Sequence, residues 1–231
     1  MATKNAAQVI HLESARSFLA MLTALSGNNF AHEIRGIDDQ NQIFLSGVYL
    51  TKQNLDKILA ILSGDEGSGT GNFYITINPI PVEGQAVTQE NPARDADIAR
   101  RYFIPVDIDP VRERGLPSTD AELQEAEKCG DFLVERLGLE EGHYYRMMSG
   151  NGVQIGIYVD WDTDKESNEL VASFLRHLKK ICSTRFSGVE IDQSVKNLSR
   201  IIKIAGTLSV KGRGKHSDER PLRISRLTHS P

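Results

Sequence analysis

The chain has 231 residues, a formal net charge of −4, 39% hydrophobic residues and 25% charged residues, values that are ordinary for a soluble globular protein with a buried core. No run of about 18 apolar residues is present, so no membrane span is predicted. The first residues lack a basic region followed by an apolar core, so no secretory signal is predicted either. Cys129 and Cys182 have no metal-ligand spacing, and we expect reduced thiols of a cytoplasmic protein and no structural zinc.

The first half of the chain is predicted to alternate helices with short strands. Periodic apolar residues indicate a helix at residues 14–25, and Thr51 is predicted to cap a second helix. Three strands are predicted around them, at residues 31–37, 42–49 and 73–77. The composition of residues 63–72 indicates a flexible loop, and residues 80–98 have no clear pattern.

The second half is predicted to interleave helices with hairpins. Residues 102–108 form the best strand candidate, although Pro105 is awkward for a central strand. Thr119 and Glu122 form a capping box that opens a helix ending near Leu137. A hairpin of two strands at residues 143–148 and 153–159 follows, then a helix at residues 165–181 and a strand at residues 189–192. This order favours an α+β fold of split βαβ type over a doubly wound parallel sheet.

Positive charge is concentrated at the C-terminal end. Residues 196–231 contain nine Lys and Arg against two acids, a charge of +7, so residues 1–195 sum to −11. A basic segment on an acidic body indicates either a local anionic ligand or a solvated charged tail. Apolar residues such as Ile201, Ile202 and Ile204 within the segment favour strands that pack rather than a tail.

Two carboxylates stand at the end of the predicted strand at 102–108. Asp107 and Asp109 are two residues apart, a spacing that places both side chains on one face of a strand about 6–7 Å apart. Close carboxylates repel unless a cation lies between them, and Mg²⁺ and Mn²⁺ prefer oxygen ligands. The pair therefore indicates either a metal site or a polar strand end that enters a turn at Pro110. Asp192 closes another apolar strand and is a candidate third ligand.

Two further motifs carry groups suited to phosphate. In Ser149-Gly150-Asn151-Gly152-Val153-Gln154 the glycines let backbone N–H groups approach an anion closely, although an ordinary hairpin has the same pattern. Polar side chains three residues apart follow in Asn197, Arg200 and Lys203. Arginine offers a bidentate phosphate contact and lysine a point charge.

Together these motifs resemble the archaeo-eukaryotic primase superfamily, in particular the primase-polymerase domains of phage and plasmid replication proteins. The resemblance runs from about residue 30 to residue 228 and rests on the order and spacing of the motifs VDIDPVRERGLPSTDAEL, SGNGVQ and IDQSVKNLSRIIKIAGTLSVKG. It implies an RRM-like (split βαβ) catalytic core at residues 99–231 and an N-terminal α/β part at residues 1–98, within one compact catalytic domain.

The resemblance also implies residue roles. Asp107, Asp109 and Asp192 would bind two Mg²⁺ or Mn²⁺ ions and act as the catalytic residues. The NTP or dNTP substrate would be bound by the glycine-rich and basic motifs, through Ser149, Gly150, Gly152, Gln154, Asn197, Arg200 and Lys203. A single-stranded DNA template or primer would contact the basic end, through Lys211, Arg213 and Lys215.

The implied activity is DNA primase or polymerase chemistry, that is, nucleotidyl transfer that makes or extends primers. The chain departs from the family in one position, because Gln154 stands where the family usually has histidine. This departure leaves open an alternative, a non-catalytic nucleotide- or nucleic-acid-binding module on the same fold. A nicking enzyme is disfavoured because the six histidines form no paired metal motif. The chain has no phosphate-binding P-loop, so any helicase partner would lie outside it.

Overall fold

The computed structural model describes residues 10–64, 71–82 and 92–231 of the chain. The predicted loop at 63–72 and the patternless segment at 80–98 lie partly outside the described residues. The helices and strands, in chain order, are α1 (Leu12–Ser26), β1 (Phe30–Ile37), β2 (Ile43–Leu50), α2 (Leu55–Ser63), β3 (Asn72–Thr76), β4 (Ile80–Pro81), β5 (Arg101–Pro110), α3 (Asp120–Leu137), β6 (Tyr144–Met148), β7 (Val153–Trp161), α4 (Lys165–Ser183), β8 (Val189–Ile191), β9 (Ile201–Lys203) and β10 (Arg226–His229).

The second half of the chain builds a sheet with strand order β10-β6-β7-β5-β8. Its strands pair antiparallel, and α3 and α4 connect β5 to β6 and β7 to β8. This is the order of a split βαβ unit with one added edge strand. The α+β prediction with an RRM-like core is therefore confirmed.

The first half builds a second antiparallel sheet, with order β2-β1-β3-β9 and β4 paired to β1. Its edge strand β9 comes from the basic C-terminal segment, and Tyr74 of β3 pairs with Lys203 of β9. The C-terminal segment thus completes the N-terminal sheet. The division of the chain near residue 98 stays a prediction.

In the described part of the chain, two large apolar cores and one small one hold the sheets and helices together. Phe18, Leu22 and Ile34 of the first half share one core with Phe103 and Tyr145 of the split βαβ sheet. The other face of that sheet packs against α3 and α4 through side chains such as Val106, Ile108, Leu133 and Val171. Since neighbouring strand residues point to opposite faces, burial of Val106 and Ile108 under the helices turns Asp107 and Asp109 toward the first sheet.

Local signals explain most helix ends. The Thr119 hydroxyl accepts a hydrogen bond from Glu122 N while the Glu122 carboxylate accepts one from Thr119 N, which is the predicted capping box. The predicted cap of α2 was wrong, because the helix begins after Asn54 rather than at Thr51. The Asn54 amide oxygen instead accepts a hydrogen bond from Thr51 N at 2.8 Å, so a side-chain-closed turn precedes the helix.

Pro105 does lie in an inner strand of its sheet. It pairs with Gly156 of β7, whereas β8 pairs only with Ile108–Pro110 of β5. The strand therefore has one neighbour at the proline, and this is where a missing N–H is tolerated. In the described part of the chain, no helix is both long and apolar enough to cross a membrane.

Candidate functional site

The three predicted acidic residues lie at one end of the split βαβ sheet. Asp107 and Asp109 lie on β5, and Asp192 directly follows the neighbouring strand β8. Asp192 N donates a hydrogen bond to the Asp107 carbonyl oxygen at 3.0 Å, which fixes the end of β8 beside β5. Two strands that pair in the sheet therefore bring together carboxylates 85 residues apart, as the numbers of Asp107 and Asp192 show.

A cavity of about 230 Å³ lies between the two sheets at this end. One wall comes from β5, β7 and the β6–β7 turn, and the opposite wall comes from β3, β9 and the segment after β9. The lining residues are Tyr74, Asp107, Asp109, Arg112, Ser149, Asn151, Gln154, Asp192, Arg200, Ile201, Ile202, Lys203, Ser209 and Lys211. The cavity thus has an acidic side and a basic side that face each other.

The acidic side concentrates negative charge. Burial, reinforced by the neighbouring Asp109 carboxylate, raises the pKa of Asp107 to about 8, and the Asp192 carboxylate adds to the rise while Arg200 opposes it. Such repulsion between like charges is relieved by a bound cation or proton. Within the described residues, no group of three or more His, Cys, Asp or Glu side chains is arranged closely enough to hold a metal ion.

The third carboxylate is occupied by groups of its own chain. Asp192 accepts hydrogen bonds from Ser194 N and the Ser194 hydroxyl, both at 2.8 Å. Arg200 forms an ion pair with the same carboxylate at 3.2 Å. Asp192 therefore lines the cavity but does not complete a ligand set with Asp107 and Asp109 in this arrangement.

The glycine-rich motif forms the tight β6–β7 turn beside the carboxylates. The Ser149 hydroxyl donates to the Gly152 carbonyl oxygen at 3.2 Å, and Gly150 has a φ of 106°, which favours glycine. A β-carbon at Gly152 would collide with the Ile108 carbonyl oxygen and come within 3.1 Å of the Asp109 carboxylate. Glycine at position 152 is therefore needed for the turn to approach β5.

Gln154 lies directly across the sheet from Asp107 in the β5–β7 pairing. It is buried, and its amide oxygen accepts a hydrogen bond from the Tyr145 hydroxyl at 3.5 Å. The position at which the chain departs from the family is thus part of the cavity wall, next to the acidic residues. A neutral amide there adds no charge to the cavity.

The basic side is formed by Arg200, Lys203 and Lys211. Lys203 is buried, and its ammonium donates to the Leu208 carbonyl oxygen at 2.7 Å and to the Asn72 amide oxygen at 3.2 Å. Both acceptors are neutral, so burial lowers the pKa of Lys203 to about 7. An anion in the cavity would favour the charged ammonium.

Some predicted residues, all within the described part of the chain, lie outside the cavity lining. Asn197 ends a short 3-10 turn that spans Gln193–Lys196. Arg213 and Lys215 form a separate turn, in which Lys215 pairs with Glu113 at 3.5 Å. Gly150 and Gly152 shape the turn, but their atoms do not line the cavity.

The cavity contains residues that the sequence reasoning did not select as site residues. Tyr74 is the aromatic side chain of the lining, and burial raises its pKa to about 12, with Asp107 adding to the rise. Strand alternation was the available signal, because Phe73 and Ile75 on either side of Tyr74 are fully buried. Asn151 and Ser209 bond to each other at 3.2 Å. Arg112 lies 3.7 Å from the Asp109 carboxylate and donates to the Pro110 and Leu116 carbonyl oxygens.

The two packed sheets with a cavity between them form a fold that a solved primase structure shares, and a fold of this kind was predicted from the motifs. Among solved structures, the chain is similar to the primase RepB′, with a TM-score of 0.50 and 13% sequence identity over 95% of this chain and 56% of that one. The chain therefore spans little more than half the length of that primase. At this identity the likeness establishes the fold alone.

Two further solved structures have lower scores. The polymerase domain of ligase D from Mycobacterium tuberculosis in complex with DNA gives a TM-score of 0.48 and 13% identity, over 96% of this chain and 86% of that one. The catalytic domain of primase RepB′ in complex with initiator DNA gives 0.47 and 13%, over 94% and 85%. No family model matches the sequence, and no curated protein matches it.

Proposed function

We propose that the chain is a DNA primase or polymerase that joins nucleotides in the cavity between its two sheets. The observation that carries the proposal is the single cavity in which Asp107, Asp109 and Asp192 face Arg200, Lys203 and Lys211. A nucleotidyl transfer site needs both features, because it must hold divalent cations and a triphosphate within the same small volume. The primase fold is the context in which such a site is expected.

Asp107 and Asp109 would hold the divalent ions, with Asp192 as the third ligand. Their oxygen atoms are the donors that Mg²⁺ and Mn²⁺ prefer. Burial and the Asp109 carboxylate raise the pKa of Asp107, and a divalent cation beside the two carboxylates would offset both effects. These residues would hold the ions beside the α-phosphate, where the ions would supply charge stabilisation as a 3′-hydroxyl displaces pyrophosphate. Asp192 would join the set once Arg200 releases its carboxylate.

Arg200 would exchange one anion for another when the substrate binds. In the structure its guanidinium contacts Asp192 at 3.2 Å, and an incoming triphosphate would offer it a bidentate partner of higher charge. Lys203 would add a second positive charge from β9, and the Ser149 hydroxyl a neutral donor from the opposite wall. The role of these residues is to position the phosphates and stabilise their charge.

The template or primer strand would lie along the basic turn beyond the cavity. Lys211 lines the cavity, and Arg213 and Lys215 follow it on a short exposed turn. Cations in a row beside the nucleotide site suit the regularly spaced phosphates of single-stranded DNA. We propose these three residues as backbone contacts without sequence specificity.

The direct test is extension of a labelled primer on a single-stranded template, with NTPs or dNTPs and with Mg²⁺ or Mn²⁺. We expect Asp107→Asn and Asp109→Asn to abolish extension while the melting temperature stays near that of wild type. Asp162→Asn is the matched control, because Asp162 is an exposed acid beyond the far end of the same sheet. Extension by Asp107→Asn at more than a few per cent of the wild-type rate would contradict the proposal.

The second candidate function is a non-catalytic nucleotide- or DNA-binding module. Two observations favour it. Among the described residues, no three His, Cys, Asp or Glu side chains are arranged to hold a metal ion, and the Asp192 carboxylate is already paired with Arg200. Equilibrium binding separates the two candidates. If the wild-type chain is a binding module, it should bind nucleotide and DNA but incorporate no nucleotide with Mg²⁺ or Mn²⁺. If it is a polymerase, it should both bind and incorporate.

A further inference from the structure

A further cavity, of about 380 Å³, lies at the β8 edge of the split βαβ sheet. We call it the edge pocket. It is lined by Asp109 and Pro110 of β5, Lys179 of α4, Glu190 of β8 and the turn Asp192–Ser194. Glu190 lies directly across from Asp109 in the β5–β8 pairing, so its side chain points to the same face of the sheet. The edge pocket therefore adjoins the acidic side of the cavity between the sheets.

The two cavities share two carboxylates. Asp109 and Asp192 line both of them. All three cations of the basic side belong to the cavity between the sheets, whereas Lys179 is the only described cation that lines the edge pocket. A triphosphate therefore suits the cavity between the sheets, and a ligand with a single phosphate charge and free hydroxyls suits the edge pocket.

The chemistry of the proposed function separates the acceptor from the leaving group in the same way. The 3′ oxygen forms a bond to the α-phosphorus, the bond from that phosphorus to the bridging oxygen breaks, pyrophosphate leaves with the electron pair, and the hydroxyl proton passes to water. The attacking and leaving oxygens lie roughly in line. Since the proposed function places pyrophosphate on the basic side, the 3′-hydroxyl approaches from the other side of the α-phosphate, where the shared carboxylates border the edge pocket.

A row of cations on α4 continues from the edge pocket. Arg176, Lys179 and Lys180 are spaced i, i+3 and i+4, so they lie on one side of the helix. Lys179 forms an ion pair with Glu190 of β8, which places this side of α4 next to the sheet edge. Arg176 and Lys180 are exposed. We call these three residues the α4 flank.

The positive charge of the α4 flank is not offset by acids of its own helix. The sequence contains no Asp or Glu from residue 170 to residue 189. Among the described residues, Arg176 and Lys180 form no ion pair, and Lys179 pairs with Glu190 alone. Because the chain before its basic C-terminal segment is acidic as a whole, a cationic surface there indicates a local anionic partner.

We propose that the edge pocket and the α4 flank bind the primer strand. The terminal nucleotide would occupy the edge pocket with its 3′-hydroxyl toward the shared carboxylates, whose charge would be offset by the ions that they hold. Lys179 would exchange Glu190 for the last phosphate of the strand, and Arg176 and Lys180 would contact phosphates further back. This placement rests on the proposed function, and it leaves the basic turn after β9 to the template strand.

Binding of a labelled primer–template with a recessed 3′ end tests the surface without turnover. Fluorescence anisotropy would be measured with Ca²⁺ in place of Mg²⁺ and without nucleotide. We expect Lys179→Ala to weaken binding by about threefold or more, and to lower the slope of log affinity against log salt by about one. The double variant Arg176→Ala/Lys180→Ala should lower that slope by about two.

Two further variants make this test specific. Lys165→Ala is the matched control, because it removes an exposed lysine at the opposite end of the same helix, and it should change neither affinity nor slope. Glu190→Gln releases Lys179 from its ion pair, so it should tighten primer binding by about two- to fivefold. A loss of affinity in Glu190→Gln would contradict the proposed exchange of partners.

Primer extension separates the primer from the nucleotide. In Lys179→Ala the KM for primer should rise by at least about fivefold while the KM for the incoming nucleotide stays unchanged. Arg200→Ala should raise the KM for the nucleotide instead. If the wild-type chain extends no primer with Mg²⁺ or Mn²⁺, the proposed function fails, and the anisotropy measurements still decide whether this surface holds a 3′ end.

Three outcomes would overturn the inference itself. The first is equal affinity of Lys179→Ala and Lys165→Ala for the primer–template. The second is the same loss in Lys179→Ala on a closed hairpin without a recessed 3′ end, which would show general attraction to polyanions. The third is a lower free energy of unfolding in Arg176→Ala/Lys180→Ala with unchanged primer binding, which would show that these cations only offset the helix dipole.

Discussion

Two sets of cations in the basic C-terminal segment have different surroundings. Arg200, Lys203 and Lys211 line the cavity. Arg220 and Arg223 instead attach the segment to the start of α3, where Arg220 forms two hydrogen bonds of 2.9 Å to the Glu122 carboxylate and Arg223 pairs with Asp120 at 2.6 Å. Both sets contact acids of the chain. The first set lines the proposed substrate space, where Arg200 pairs with Asp192, whereas the second set lies at the start of α3.

The comparison shows that a count of charge along the sequence mixes two roles. In the proposed function the first set would contact the anionic substrate. Arg220 and Arg223 lie outside the cavity lining and satisfy backbone carbonyl groups at the start of α3. Arg220, for example, also donates to the Pro117 carbonyl oxygen at 2.7 Å. Substitutions in the two sets should therefore separate substrate affinity from stability.

Arg200→Ala should have the largest effect on nucleotide use. Loss of charge-assisted phosphate bonds costs about 1.5–3 kcal/mol each, so we expect kcat/KM for incorporation to fall by about 100-fold. Stability should change by less than about 1 kcal/mol because the Asp192 pair is partly exposed. The two sets would not be distinct if Arg220→Ala reduced nucleotide affinity as much, and steady-state kinetics of both variants measures this.

Arg223→Ala should sharpen the comparison from the other side. Its guanidinium donates to the carbonyl oxygen of the buried Ser118 at 2.8 Å, and an unsatisfied buried acceptor costs about 1–3 kcal/mol. We expect urea unfolding to report a loss of this size. Lys215→Ala is the control, because its exposed pair with Glu113 is worth little. Equal losses in both variants would count against a structural role for Arg223.

Lys203 should make the free energy of unfolding depend on pH. Burial lowers its folded-state pKa to about 7 from 10.5, so between these values the unfolded chain binds the extra proton and stability rises with pH. We expect wild type to gain more than about 1 kcal/mol relative to Lys203→Met between pH 7 and 9.5. Urea unfolding of both proteins at the two pH values measures this gain. Parallel pH dependence in the two proteins would show that the lysine is solvated.

Gln154→His should have the smallest effect. A histidine at this buried cavity position could replace a neutral amide bond to phosphate with a charge-assisted one, a gain of about 1 kcal/mol. We expect nucleotide binding, measured by isothermal titration, to tighten by up to about tenfold or to stay unchanged. A clear loss of affinity would place Gln154 outside the phosphate path.

The secondary structure was predictable because its signals are local. The Thr119–Glu122 capping box marks the start of α3, and the alternation around Asp107 and Asp109 identifies β5 and its polar face. The prediction of the α2 cap was wrong because Thr51 and Asn54 are both good cap residues. The hydrogen bond from Thr51 N to the Asn54 side chain decides which of them precedes the helix.

Contacts between distant residues were not predictable in the same way. Lys203 was expected beside phosphates, yet its buried bond to Asn72 joins residues 131 positions apart. Tyr74 enters the cavity only because β9 pairs with β3. Neither pairing leaves a periodic pattern in the sequence, so the residues of the opposite wall of the cavity could be identified only from the structure.

Because β9 pairs with β3, the cavity lies where the two sheets pack against each other. Its negative wall belongs to one sheet and its positive wall to the other, so the distance between the opposing charges depends on how the sheets pack rather than on any single loop. A chain shortened before residue 200 would lose β9 and the segment after it, and with them Arg200, Lys203 and Lys211, whereas Asp107, Asp109 and Asp192 would remain in the chain. Proteolysis that removes this segment would therefore leave the acidic residues in the chain and remove the basic side of the cavity.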